Sequence, residues 1–148
     1  MAFLKKTPAE VGVPPHMMTV DFRAAKGIPA SLDALRAEVG RQGFDHAPAI
    51  YAAMLKDQPD FKLDEDVVIR WGYDLMEKNH LPEAIEVLKL DVQVFPGSSN
   101  GYDSLGEAYM KSGQKQLAID SYKKSLEVNP ANDNAKEKLK ELETAPAK

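Results

Sequence analysis

Apolar side chains recur at helical spacing along most of this chain, in runs broken at regular intervals by Gly, Asn or Pro. Gly43, Asn79 and Gly113 each stand where a left-handed residue would end a helix. Pro59, Pro96 and Pro130 stand where a second helix of each pair should stop, because proline cannot continue a helix. Asp64, Ser98 or Ser99, and Asp133 are suitable N-caps at the starts. The pattern predicts an all-α chain with helices over roughly 31–42, 45–57, 64–78, 81–94, 98–112, 115–128 and 133–143. In the last of these, Ala135, Leu139 and Leu142 share one side and charge fills the rest, which suits a helix that closes a stack with a polar outer face.

The runs also repeat one another. One copy reads Tyr102-x2-Leu105-Gly106-x2-Tyr109, then Ala118-x3-Tyr122, then Pro130. A shift of 34 residues lands on Val68, Trp71-Gly72, Leu75, Ala84, Leu88 and Pro96, so size classes recur together. A degenerate copy lies upstream, where Ala47-x3-Tyr51 and Pro59 repeat the second helix, with three additional residues in the connection around Asp60 to Asp64. This resembles the tetratricopeptide (TPR) pattern of Trp, Leu-Gly, Tyr, Ala, Phe and Pro. The resemblance implies a right-handed superhelical stack of helix-turn-helix hairpins: a degenerate repeat at 31–60, good repeats at 64–97 and 98–131, a capping helix at 132–143, and a disordered tail at 144–148. The steric logic is that Gly72 and Gly106 remove a side chain where first helix crosses second, and Ala84 and Ala118 present only a methyl opposite. Trp71, Tyr109 and Tyr122 would then fill the gaps between hairpins.

Composition narrows the partners. The 148 residues are 43% hydrophobic and 28% charged, in the range of a single packed domain. A net charge of −4 would repel nucleic acid and anionic membranes, so neither is expected as a partner. The absence of cysteine removes disulfides, zinc-thiolate sites and thiol nucleophiles. The N-terminal residues lack the apolar run of a signal peptide, and no stretch approaches the ~18 apolar residues of a spanning helix, while the compartment stays open. Residues 1–30 differ in kind: Pro8, Pro14, Pro15 and Pro29 punctuate them, and Lys5, Lys6, Arg23 and Lys26 face only Glu10 and Asp21, leaving −6 for the rest. A short helix around Met17 to Ala25 and an extended segment from Thr7 to Pro15 are expected there.

From Asp64 onward the wording, as well as the period, is familiar. Gly72-Tyr73-Asp74-Leu75, Ala84-Ile85-Glu86-Val87-Leu88-Lys89-Leu90, Tyr102-Asp103-Ser104-Leu105-Gly106-Glu107-Ala108-Tyr109 and Ala118 to Pro130 resemble TPR tails fused behind bacterial serine hydrolases, among them β-lactamase-related enzymes and α/β-hydrolase esterases. That resemblance implies an accessory module, with Lys5 to Pro15 as the joint to a catalytic domain, and no hydrolysis by these residues themselves.

Catalytic chemistry has no carrier in the chain. Ser112-x-x-Lys115 and Ser121-x-x-Lys124 have the spacing of a lysine-assisted serine, but the companion Ser-Asp-Asn and Lys-Thr-Gly strings are absent. His16, His46 and His80 are separated singles, without a second ligand at helical spacing, so no metal site and no cofactor is expected. What remains is a surface. In a TPR stack the first helices line the concave side, which selects Asp66, Ile69, Arg70, Tyr73 and Met76 in one repeat, Asn100, Asp103, Glu107 and Met110 in the next, and Asn134, Glu137 and Glu141 on the cap. The row is acidic, so the expected partner is a protein or an extended basic or neutral peptide with apolar anchors. The chain's own N-terminal segment or a fused catalytic domain would also fit. Asp103 and Glu107 occupy positions where TPR clamps for acidic chaperone tails carry cations, which excludes that ligand class.

Overall fold

The computed structural model describes residues 30–144, and these divide into two units after Phe61. The expectations for the lead before residue 30, and for the tail beyond Thr144, lie outside the described residues.

In the first unit, α1 (Leu32–Gln42) is capped by the Ser31 side chain, which accepts from the Ala34 amide at 3.1 Å. It ends at Gly43, and a 3-10 turn, Phe44–His46, leads into α2 (Ala47–Asp57). Leu35, Val39, Ala47, Ile50 and Met54 are fully buried. Tyr51 meets Phe61 in a tilted ring pair with centroids 5.9 Å apart. Phe61 belongs to the additional residues of this connection, so the insertion supplies a partner for the aromatic of the degenerate copy. The Ala30 amide closes the unit by donating to the Gln58 side-chain Oε1 at 2.9 Å.

The second unit contains α3 (Glu65–Glu77), α4 (Leu81–Val94), α5 (Ser99–Lys111), α6 (Lys115–Val128) and α7 (Asp133–Thr144). No strand occurs among the described residues. Consecutive helices pack on one another, making hairpins α3/α4 and α5/α6, with α4 against α5 and α6 against α7. The fold is therefore an all-α TPR-type stack. Its core gathers Ile69, Met76, Ala84, Ile85, Leu88, Leu105, Ala108, Tyr109, Ala118, Tyr122 and Ala135. Burying a side chain of Leu or Ile size contributes about 2 kcal/mol, so this cluster is the main source of the unit's stability.

The hairpin turns repeat to the atom. The Asn79 amide donates to the Met76 carbonyl and the His80 amide to the Leu75 carbonyl; Gly113 to Met110 and Gln114 to Tyr109 do the same one repeat later. This is the two-bond Schellman closure, which needs a left-handed residue. Asn79 and Gly113 supply it at φ 61° and φ 80°.

Two sequence expectations are corrected. The residues opposite the crossing glycines are large rather than alanines: a Cβ on Gly72 would lie 2.8 Å from Leu88 Cγ, and one on Gly106 would lie 2.9 Å from Tyr122 Cε2. Ala84 and Ala118 are fully buried, but the close approach is made by the residue one turn later. The cap of α7 is Asn132 and not Asp133: Asn132 Oδ1 accepts from the Ala135 amide at 3.1 Å, and Asp133 is the first helical residue. That helix also continues to Thr144, whose hydroxyl donates to the Lys140 carbonyl at 2.7 Å.

Candidate functional site

The first helices α3, α5 and α7 carry the predicted surface, and hydrogen bonds between them fix its polar groups. The Tyr73 hydroxyl donates to Glu107 Oε1 at 2.8 Å, joining α3 to α5 across 34 residues of sequence. Asp103 on α5 accepts from Asn134 Nδ2 at 2.8 Å through Oδ1 and from Asn132 Nδ2 at 3.1 Å through Oδ2, joining α5 to α7. Asn132 Nδ2 also lies 3.0 Å from the hydroxyls of Ser99 and Ser125. Those two serines are 2.7 Å apart, and Ser125 Oγ donates to the Ser99 carbonyl at 2.8 Å. One amide side chain thus caps α7 and bridges α5 to α6.

Every partner of Asp103 and Glu107 in these bonds is neutral. Tyr and Asn hold the carboxylates in place without cancelling their charge, since a neutral donor stabilises an anion but leaves its field. Among the described residues neither carboxylate has an ion pair. Two phenols sense that field. Tyr73 is pushed up to about 12, first by burial and then by its bond to Glu107 and the charges of Glu107 and Asp103, against a lowering bond from Ser104. Tyr122 is also pushed up, first by burial and then by Asp103 and Glu107.

The remaining predicted residues fall into three classes. Asp66, Arg70, Asn100, Asn134, Glu137 and Glu141 are exposed. Ile69 and Met76 are buried at 7% exposure each and belong to the core cluster, so little of either reaches the surface. Met110 is half-buried, its Sδ accepting from the Tyr122 hydroxyl at 3.5 Å. Glu141 pairs with Lys138 at 3.8 Å, a contact between exposed groups that contributes little.

The serines with lysine at the fourth position are engaged by their own helices. Ser121 Oγ donates to the Leu117 carbonyl and Ser112 Oγ to the Tyr109 carbonyl, both at 2.9 Å. No group of three metal-ligating side chains forms among the described residues. No helix there is long and apolar enough to cross a membrane.

Sequence reading missed a second polar junction. Asp91 on α4 is fully buried, and neither of its carboxyl oxygens meets a standing donor; Glu65 Oε2 on α3 is buried in the same condition. Asp91 is pushed up to about 8, by burial first and then by the Glu65 charge and a bond to Glu65. Two carboxylates cannot bond to each other, so the bond requires a proton on one of them. A signal was present in the repeat register: moved by 34 residues, Glu65 and Asp91 fall on Ser99 and Ser125, the pair that bonds directly in the next hairpin.

Comparison with known proteins agrees with this architecture. The tetratricopeptide-repeat family matches residues 99–132. The solved structure titled "Crystal structure of MamA" is similar to the chain, with 26% identity over 76% of this chain and 64% of that one, at a TM-score of 0.50. A second, "Crystal structure of MamA protein", is 27% identical over 75% of this chain and 59% of that one, at a TM-score of 0.49. The chain therefore spans less than two thirds of the length of either. No curated protein sequence matches it.

Proposed function

We propose that this protein is a non-catalytic interaction scaffold whose first-helix face, built from α3, α5 and α7, receives an extended basic or neutral segment. The observation that carries this reading is the pair Asp103 and Glu107, oriented by neutral donors and left with their full charge. Exposed Asp66, Glu137 and Glu141 extend the negative field, with Arg70 as a single opposing charge in the row. Tyr73 and Met110, both half-buried, offer apolar surface beside the carboxylates. A lysine- or arginine-bearing segment would gain long-range attraction there, and an acidic one would be repelled. The repeat found at 99–132 and the TPR-type stack support a scaffold role in general.

The likeness of residues 64–130 to the tails of bacterial serine hydrolases favours a covalently joined catalytic domain as the source of that segment. The basic lead of this chain, with Lys5 and Lys6, has the same chemistry and is the second candidate.

The test is a binding titration of lysine-containing and glutamate-containing unstructured peptides against the intact chain, the variant starting at Ser31, and Asp103→Lys/Glu107→Lys. Salt-sensitive binding of the basic peptides, lost on charge reversal, supports the reading. Equal binding by the reversed variant sinks it. Tighter binding once the lead is removed identifies the lead as the resident occupant.

A further inference from the structure

The Glu65–Asp91 junction is built unlike its counterpart. In the α5/α6 hairpin the equivalent positions are Ser99 and Ser125, which satisfy one another and the neighbouring backbone with neutral hydroxyls. In the α3/α4 hairpin the same positions carry two carboxyl groups, and the one on Asp91 has no exposure to water at all. A third element closes the site. Gly101, in the first turn of α5, is packed against Asp91 Oδ2, and a Cβ built there would stand 3.2 Å from Val92 Cγ1 and 3.5 Å from Glu65 Oε2. The carboxyl pair therefore sits where α3, α4 and α5 meet, and Gly101 leaves no side chain to separate them.

We propose that Glu65 and Asp91 form a proton-operated joint: one shared proton ties α3 to α4 beneath the first turn of α5, and loss of that proton loosens the turn. The placement of the two groups assigns the proton. Asp91 lies in the last turn of α4, whose carbonyl end disfavours a negative charge, while Glu65 lies in the first turn of α3, whose amide end suits one. From α3 the group facing Asp91 is Glu65, from α5 it is the backbone of Gly101, and on α4 itself Val92 is the neighbour, so among the described residues no cation is placed to neutralise a second carboxylate. Burial of Asp91 and of Glu65 Oε2 makes two adjacent anions the costly state.

The sign follows from linkage. The folded chain keeps a proton on Asp91 that the unfolded chain releases in the ordinary carboxylate range. The stability this supplies is complete below that range and is lost progressively as pH rises toward about 8, where the folded pair also ionises. The joint works whatever the first-helix face binds.

The experiment is a carbon-13 NMR titration of the carboxyl groups of the intact chain, with amide hydrogen exchange at Gly101 to Asp103 corrected for intrinsic rates. The expected result is an Asp91 carboxyl that titrates far above the ordinary range, and first-turn exchange in α5 that accelerates about tenfold or more across that titration, the effect of one pKa unit of coupling. Amides of the first turn of α7, beside the serine junction, should show no such step. Asp91→Asn, which keeps a buried donor without a titrating proton, and the double change Glu65→Ser/Asp91→Ser, which copies the next hairpin, should both abolish the step. Glu65→Gln should move the Asp91 titration down. An Asp91 carboxyl in the ordinary range, or an unchanged step in whichever of these variants folds, overturns the proposal.

Discussion

The Tyr73 hydroxyl and the Glu107 carboxylate meet at 2.8 Å, and the two residues, 34 apart, occupy the same repeat position on successive first helices. The bond orders the acidic face and simultaneously defines the spacing of α3 and α5. A hydrogen bond to a charged group at a half-buried site contributes about 1 to 2 kcal/mol. Tyr73→Phe should therefore lower the unfolding free energy by that amount, read as a lower denaturant midpoint at an unchanged slope of the transition, whereas Tyr102→Phe, at a residue outside this bond, should change it little.

The same pair gives a pH prediction. Tyr73 is held neutral to about 12, chiefly by burial and with a contribution from Glu107. The stability linked to its neutral form is complete below the ordinary phenol range and is lost as pH rises from there through about 12. Glu107→Gln should shift the ultraviolet phenolate titration of Tyr73, and to a lesser extent that of Tyr122, to lower pH. Unaltered titration of all the tyrosines would mean that the carboxylate does not govern the phenol.

Asn132 is the residue on which the end of the stack depends. It caps α7 through Oδ1 and donates through Nδ2 to Ser99, Ser125 and Asp103. Asn132→Ala loses the cap and leaves the fully buried Ser125 hydroxyl with one donor fewer, for a combined cost of about 2 to 3 kcal/mol. Asp133→Ala loses a first-turn charge and an exposed contact with Lys136 at 3.7 Å, together about 0.5 kcal/mol. Hydrogen exchange should show α7 amides freed by the first change and unaffected by the second. Equal effects would restore Asp133 as the cap.

These contrasts show which parts of the molecule are legible in sequence. Helix ends were readable because their chemistry is restrictive: a Schellman closure demands a left-handed residue, and Asn79 and Gly113 are among the few residues that accept it. The α7 cap was ambiguous because Asn132 and Asp133 are both good caps, and the choice is made by Ser99 and Ser125, 33 and 7 positions away in the chain. Exposure along the expected row was not readable, since Ile69 and Met76 are buried in the core cluster while Asp66 and Arg70 near them in sequence are exposed. Glu65 and Asp91 were unreadable one at a time, because a helical carboxylate ordinarily faces solvent. Only comparison with the serines one repeat later marks them as an internal pair.

The crossing glycines carry the final prediction, and a third glycine serves as its control. Gly72 and Gly106 lie within a helix interior, where replacement by Ala would gain about 1 kcal/mol of helix propensity if space allowed. It does not: a methyl would press on Leu88 in one hairpin and on the Tyr122 ring in the other, at 2.8 and 2.9 Å. Leu88 and Tyr122 are 0% and 1% exposed, so neither has free volume into which to retreat. Overpacking of this kind costs about 1 to 3 kcal/mol and outweighs the propensity gain. Tyr122 is the stiffer obstacle, being a ring whose hydroxyl is also bonded to Met110 Sδ, so Gly106→Ala should destabilise more than Gly72→Ala. Gly40, inside α1, has nothing within 4 Å of its would-be Cβ. Gly40→Ala should therefore stabilise the chain by about 1 kcal/mol. Thermal melts of the three variants would order them Gly40→Ala above the parent, then Gly72→Ala, then Gly106→Ala, and stabilisation at either crossing position would show that hairpin packing does not depend on the missing side chain.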